Sequence, residues 1–198
     1  MTARTSHTML VLSAFLAGLV VFLTVFLFAT GQFRSGAPGG SAIGGPFHLT
    51  DQDGKPITDQ DMKGEPLLVF FGYTHCPDIC PTTLFDLSEV LHAMGPDAAR
   101  MHALFITVDP ERDTPPVMKD YLSSFDPHLR GATGNRKAIE AAEKVYHVFA
   151  QKVPTGNGDY SMDHTALVYL MDKQGRFVAP FSLKRRPEEA AADLKKYL

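Results

Sequence analysis

Two short apolar runs constrain this chain more than anything else in it: Leu67–Gly72 (LLVFFG) and Ala103–Val108 (ALFITV). Each has strand length and neither alternates polar with apolar residues, so each is expected to be a strand buried on both faces. Such strands need helices covering them. The stretch between them supplies one: from Pro81 to about Met94, Leu84, Leu87 and Leu91 recur at helical spacing, and a proline is tolerated in the first turn. Strand, helix, strand in that order predicts a parallel pair joined by a crossover, hence an α/β domain.

The rest of the chain extends that unit. Phe47–Thr50 and the residues around Ile57 flank the turn-forming Asp51–Pro56 (DQDGKP) and predict a short hairpin. Pro115–Phe125 reads as a helix with Thr114 as its cap. Asn135–Phe149 predicts a helix with Ile139, Ala142, Tyr146 and Phe149 on one face and charges on the other. Ala166–Met171 and Arg176–Phe181 predict a hairpin turning at Asp172–Gly175 (DKQG), and Pro187–Tyr197 a closing helix with Leu194 inward. A βαβ unit followed by ββα is the order of a thioredoxin-like sandwich, a central mixed sheet flanked by helices.

Charge is distributed unevenly. From Met1 to Phe33 the only charged side chain is Arg4, and Met9–Ala29 has none, close to the roughly 20 residues a helix needs to cross a bilayer. A cleaved signal peptide has a shorter apolar region and a small-residue cleavage site, and Thr30–Phe33 is a poor one. A buried core helix is rarely apolar all round. The reading adopted is therefore a leader over 1–8, a membrane-anchor helix over 9–29, a flexible linker over 30–46, ending in the Gly- and Pro-rich Ser35–Pro46, and a globular domain over 47–198. The leader is too short and too poor in arginine for a mitochondrial transit peptide. That favours a single pass through a bacterial inner membrane, with the domain in the periplasm. The domain carries 17 Lys+Arg against 22 Asp+Glu and no basic stripe, which sets nucleic-acid binding aside.

Only two cysteines are present, too few for a disulfide-built scaffold. Cys76 and Cys80 lie in Tyr73–Thr82 (YTHCPDICPT), between the first buried strand and the first helix, where α/β folds expose reactive groups. A thiol near a helix amino terminus is favoured as thiolate, the form that binds soft metals and attacks disulfides. A structural disulfide is the competing reading, although a crosslink closing so few residues removes little chain entropy. Two thiolates seldom complete a metal site, and an imidazole is the natural addition. His7 precedes the apolar run; His48, His92, His102, His128 and His147 read as surface residues; and His75 adjoins Cys76 and should point the other way. His164 follows the irregular stretch Pro154–Tyr160 (PTGNGDY) and precedes the strand expected beside the first buried one, which makes it the candidate for the third donor. Met162 is either a soft fourth donor or a filler of packing gaps.

Three stretches, LLVFFGYTHCPDICPTTL, FITVDPERDTP and YSMDHTALVYLMDKQGRF, resemble the signature segments of the SCO/SenC copper-binding proteins, and the resemblance runs from about Phe47 to the C-terminus. It implies a thioredoxin-like fold tethered by one membrane helix, with copper held by Cys76, Cys80 and His164. It also implies a role in assembling the dinuclear copper centre in the second subunit of cytochrome c oxidase, or in keeping that subunit's cysteines reduced. The implied partners are thus that subunit, an upstream periplasmic copper donor or thiol reductant, and the membrane. The resemblance places Asp109, Glu111, Arg112 and Asp113 near the site, where a helix-entry ion network explains them equally well. Asp163 is read as orienting His164 or contacting a partner, or simply as a turn residue.

Two thiolates and an imidazole suit Cu(I) and Cu(II), and thiolate softness favours Cu(I). A structural zinc site normally has four protein ligands; three leave a place for a partner's donor. The alternative class is a thiol–disulfide oxidoreductase. Against it, the spacing is Cys-x-x-x-Cys rather than Cys-x-x-Cys and no proline stands at Asp163–His164; against a peroxidase of the same class, Thr74 is two residues before Cys76 rather than three.

Overall fold

The computed structural model describes residues 15–26, 43–156 and 158–198. It divides into two units, 1–40 and 41–198. In the first, residues 15–26 are helical and exposed, and the Thr24 hydroxyl bonds back to the Val20 and Val21 carbonyls. Among the described residues no helix is long and apolar enough to cross a membrane, and the expected anchor over 9–29 extends outside them at both ends.

The second unit is built on a seven-stranded mixed sheet. Its strands are β1 (His48–Asp51), β2 (Pro56–Thr58), β3 (Leu67–Gly72), β4 (His102–Thr107), β5 (Leu129–Thr133), β8 (Val168–Met171) and β9 (Phe177–Pro180), in the spatial order β2-β1-β5-β4-β3-β8-β9. β6 (Ala150–Gly156) and β7 (Asp159–His164) form a separate two-stranded sheet. β3, β4 and β5 are parallel, and β8 runs antiparallel beside β3, with Phe70 opposite Val168. The helices are α1 (Ile79–Met94), α2 (Pro115–Leu122), α3 (Arg136–Tyr146) and α4 (Pro187–Leu194).

Every residue of β3 is buried, as its unbroken apolar run requires. Successive side chains point to opposite faces. Phe70 stacks on Phe105, which packs on Tyr121 near the end of α2; Phe71 packs on Tyr146 of α3. The sheet is thus covered on both sides, a thioredoxin-like sandwich.

Several expectations need correction. α1 begins at Ile79, two residues before Pro81, which leaves Cys80 inside the first turn. α3 ends at Tyr146 because His147 adopts a left-handed conformation (φ 55°) and the Val148 amide folds back to the Glu143 carbonyl. Phe149 therefore leaves the helical spacing and is 52% exposed, while Glu143 is buried on the apolar face. Thr114 stands at the N-cap of α2, yet its side chain makes no capping bond. Two elements carried no readable pattern. β5 (LRGAT) contains Arg130 and Gly131, and a Cβ at Gly131 would come within 2.6 Å of the Leu122 side chain and 2.9 Å of the Met118 side chain on the overlying helix, so glycine suits the close packing of α2. Pro154, Thr155, Gly156, Asp159 and Tyr160, in the stretch expected to be irregular, belong to β6 and β7; β6 is exposed beyond Ala150, whereas most of β7 is half-buried or buried. Gly44, placed in the linker, donates its amide to the Val145 carbonyl.

Candidate metal centre

The cysteines stand where β3 hands over to α1. The Cys76 sulfur accepts the Cys80 amide at 3.4 Å, taking the place of a side-chain cap that Asp78 does not provide. Cys80 is fully buried over the end of β3: a Cβ on Gly72 would sit 2.8 Å from its sulfur. Both cysteines are free thiols. At Cys80 burial works against the helix terminus. Burial pushes its thiol far above the ordinary range, outweighing the Tyr73 backbone amide that opposes the shift, and Cys76 and Asp113 add to burial.

His164 is the last residue of β7, and the hairpin brings it back over the carboxyl end of β3. Its Nε2 lies 3.5 Å from the Cys80 sulfur, and its Nδ1 lies 3.1 Å from the Thr165 carbonyl. A protonated Nδ1 donating there leaves Nε2 with a free lone pair toward the sulfurs. The ring meets Tyr73 edge-on at 5.8 Å between centroids and Phe70 at 6.4 Å. Burial holds the imidazole below its ordinary pKa, favouring the neutral form that a metal requires. Donor atoms of Cys76, Cys80 and His164 all lie within 4.8 Å of one another. An ion about 2.0–2.3 Å from each donor, the usual range for thiolate and imidazole, fits between atoms so spaced after a small contraction.

A groove of about 530 Å³ opens onto this cluster, lined in part by Cys76, Asp78, Ile79, Val153, Met162 and His164. Cys76 thus faces the opening, while Cys80 lies beneath. Met162 is 6% exposed and packs with the core residues. Asp163 is exposed and opposite Gln151 in the hairpin; the orienting contact at His164 is the Thr165 carbonyl, one residue on. His75 points outward toward the Thr74 hydroxyl. His48, His92, His128 and His147 are exposed, whereas His102, expected at the surface, is half-buried beside Glu65 at 3.6 Å.

The acidic loop after β4 is closer to the cluster than spacing alone reveals. Asp113 is fully buried and accepts bonds from the Thr74 amide (3.0 Å), the Thr74 hydroxyl (2.6 Å) and the Thr107 hydroxyl (2.6 Å). Asp109, equally buried, accepts from Arg112 Nε and from the Tyr160 hydroxyl at 3.0 Å. Glu111 is exposed and paired with Lys152 and Arg136. Tyr160 and Thr74 carried no sequence signal, since their roles exist only through distant partners.

The chain is similar over most of its length to proteins of one kind. At 67% identity, the structure of Bradyrhizobium japonicum ScoI with copper bound covers 79% of this chain and 99% of that one, with a TM-score of 0.78. Yeast Sco1 with copper bound is 36% identical, covering 79% of this chain and 90% of that one, with a TM-score of 0.70. The SCO2-like protein of Rickettsia felis is 39% identical over 155 residues, 77% of this chain and 76% of its own length. The family model described as SCO1/SenC matches residues 35–198, and with that match the chain belongs to the SCO1/SenC family.

Proposed function

We propose that this protein is a copper metallochaperone that takes Cu(I) or Cu(II) as cargo on Cys76, Cys80 and His164 and serves assembly of the dinuclear copper centre of cytochrome c oxidase. The observation that carries the reading is the convergence, within 4.8 Å, of three soft or borderline donors: two on one strand-to-helix turn and one from far along the chain. Two sulfurs and one imidazole match copper by ligand softness, and the groove beside Cys76 leaves one side of the ion open to an incoming donor. The copper-bound relatives at 67% and 36% identity support the choice of metal. The acceptor is the copper-bearing oxidase subunit, and the ion arrives from an upstream periplasmic donor. The uncharged run Met9–Ala29 supports a single-pass tether in a bacterial inner membrane with the domain on the periplasmic side.

A thiol–disulfide exchange role toward the same partner is supported by one observation. Cys76 lines the groove and Cys80 is buried behind it, the arrangement of an attacking and a resolving thiol. Titrating the reduced chain with copper separates the readings. Tight binding with a thiolate-to-Cu(II) absorption band, lost in Cys76→Ser and Cys80→Ser, supports copper carriage. Negligible copper affinity together with rapid turnover of disulfide substrates would establish the oxidoreductase instead.

A further inference from the structure

His164 is carried by an element with little of its own to hold it. β6 and β7 pair only with each other, and Met162 is the one buried side chain described in either strand. A lone two-stranded ribbon of this kind is marginal in water. Besides Met162 in the core and the His164 ring against Phe70 and Tyr73, the hairpin is anchored by polar contacts to the Asp109–Asp113 segment between β4 and α2. The Arg112 guanidinium lies over the Tyr160 ring, 3.9 Å from its centroid, and donates Nη1 to the Tyr160 carbonyl at 3.0 Å and to Asp159 at 3.3 Å. Its Nε is bound by the buried Asp109 carboxylate, which also accepts the Tyr160 hydroxyl. The planar fork of arginine makes all of these contacts at once; a lysine ammonium has no such geometry. One residue on, Asp113 binds the amide and hydroxyl of Thr74, two residues before Cys76. A single short segment therefore grips both halves of the cluster.

We infer that Asp109–Asp113 is a bracket setting the distance between the two cysteines and His164, with Arg112 the positioning residue that places His164 through the β6–β7 hairpin. This rests on the copper reading. The bracket also explains why an ion pair built on the buried Asp109 carboxylate sits on a loop that contributes no donor atom itself: its geometry is spent on orientation.

The test uses the reduced full chain as wild type, Arg112→Ala, His164→Ala and the double variant, titrated with Cu(I) and Cu(II). Arg112→Ala should lower Cu(II) affinity about 10–100-fold, the range for outer partners of a ligand, and shift the thiolate-to-Cu(II) band. In metal-free protein it should raise amide hydrogen exchange across 150–164 while the amides of β3, β4 and β5 remain protected. In the His164→Ala background it should cost nothing further. Losses that add in the double variant, or wild-type binding and absorption in Arg112→Ala beside a weakened His164→Ala, overturn the positioning role and leave the copper site standing. A wild-type chain without copper affinity overturns the copper reading and this role with it. If Arg112→Ala does not fold, Tyr160→Leu, which removes the ring beneath the guanidinium, must show the same loss and band shift, and wild-type behaviour there overturns the inference.

Discussion

The Cys80 sulfur and His164 Nε2 lie 3.5 Å apart although 84 positions separate them in the chain. The contact joins the first turn of α1 to the last residue of an exposed hairpin. Both ends are set by the carboxyl edge of β3: Cys80 stacks on Gly72, and the His164 ring leans on Phe70 and Tyr73.

Removing the imidazole should separate binding from folding. His164 is half-buried and on an element outside the main sheet, so His164→Ala should leave the thermal unfolding temperature within about 2–4 °C of wild type, the shift that ~1 kcal/mol produces in a domain this size. Loss of a direct ligand should weaken Cu(II) binding by more than the roughly 10–100-fold typical of outer partners. Titration of the reduced variant checks this, and unchanged affinity would mean that His164 is not the third donor.

Gly72→Ala should damage the same site from beneath. The added methyl would meet the Cys80 sulfur at 2.8 Å and the Phe105 ring at 2.7 Å, both in the packed interior. Overpacking of this kind costs about 1–3 kcal/mol, and displacing the sulfur should reduce copper affinity as well. Denaturant unfolding combined with a copper titration reads both effects; wild-type affinity in a destabilised variant would show that Cys80 does not move.

Oxidation should eject the ion. Cys76 and Cys80 are free thiols whose sulfurs both belong to the 4.8 Å cluster. A disulfide between them removes both thiolate donors and leaves His164 alone. The oxidised chain should show no thiolate-to-Cu(II) band, and reduction with dithiothreitol, removed before Cu(II) is added again, should restore it. Retention of that band after oxidation would contradict ligation by this pair.

Stability should fall between about pH 4.5 and pH 7 through Glu143. Burial among the apolar residues of α3 raises its carboxyl pKa to about 7, with Arg136 partly opposing and Glu140 adding to the shift. Within that window the folded state keeps a proton that the unfolded chain releases, so rising pH favours unfolding. The neutral isostere in Glu143→Gln should abolish this contribution, raising the unfolding temperature relative to wild type by about 2 °C at pH 8 and little at pH 4. Parallel scans at the two pH values check the sign; a larger gain at pH 4 would reverse it.

Local pattern was enough to read the sheet's centre and the chemistry of the cluster. An unbroken LLVFFG run has no stable place except between two layers, and leucines at helical spacing after it dictate the crossover that makes β3 and β4 parallel. Cys76 and Cys80 were legible because thiols are rare here and stand at a strand-to-helix turn. His164 was legible only as a candidate, since β6 is exposed beyond Ala150 and β7 buries only Met162, so the hairpin that delivers it shows no apolar periodicity. β5 was hidden for a related reason: Gly131 answers to the Leu122 and Met118 side chains packed over it from α2, a demand made by a distant helix and not by the strand itself. Only the fold buries Cys80, which raises its thiol pKa against the helix end, and only the fold turns the loop from Asp109 to Asp113 toward both Thr74 and Tyr160. Desolvation and long-range hydrogen bonds depend on which segments meet in space, and local sequence pattern carries no record of those meetings.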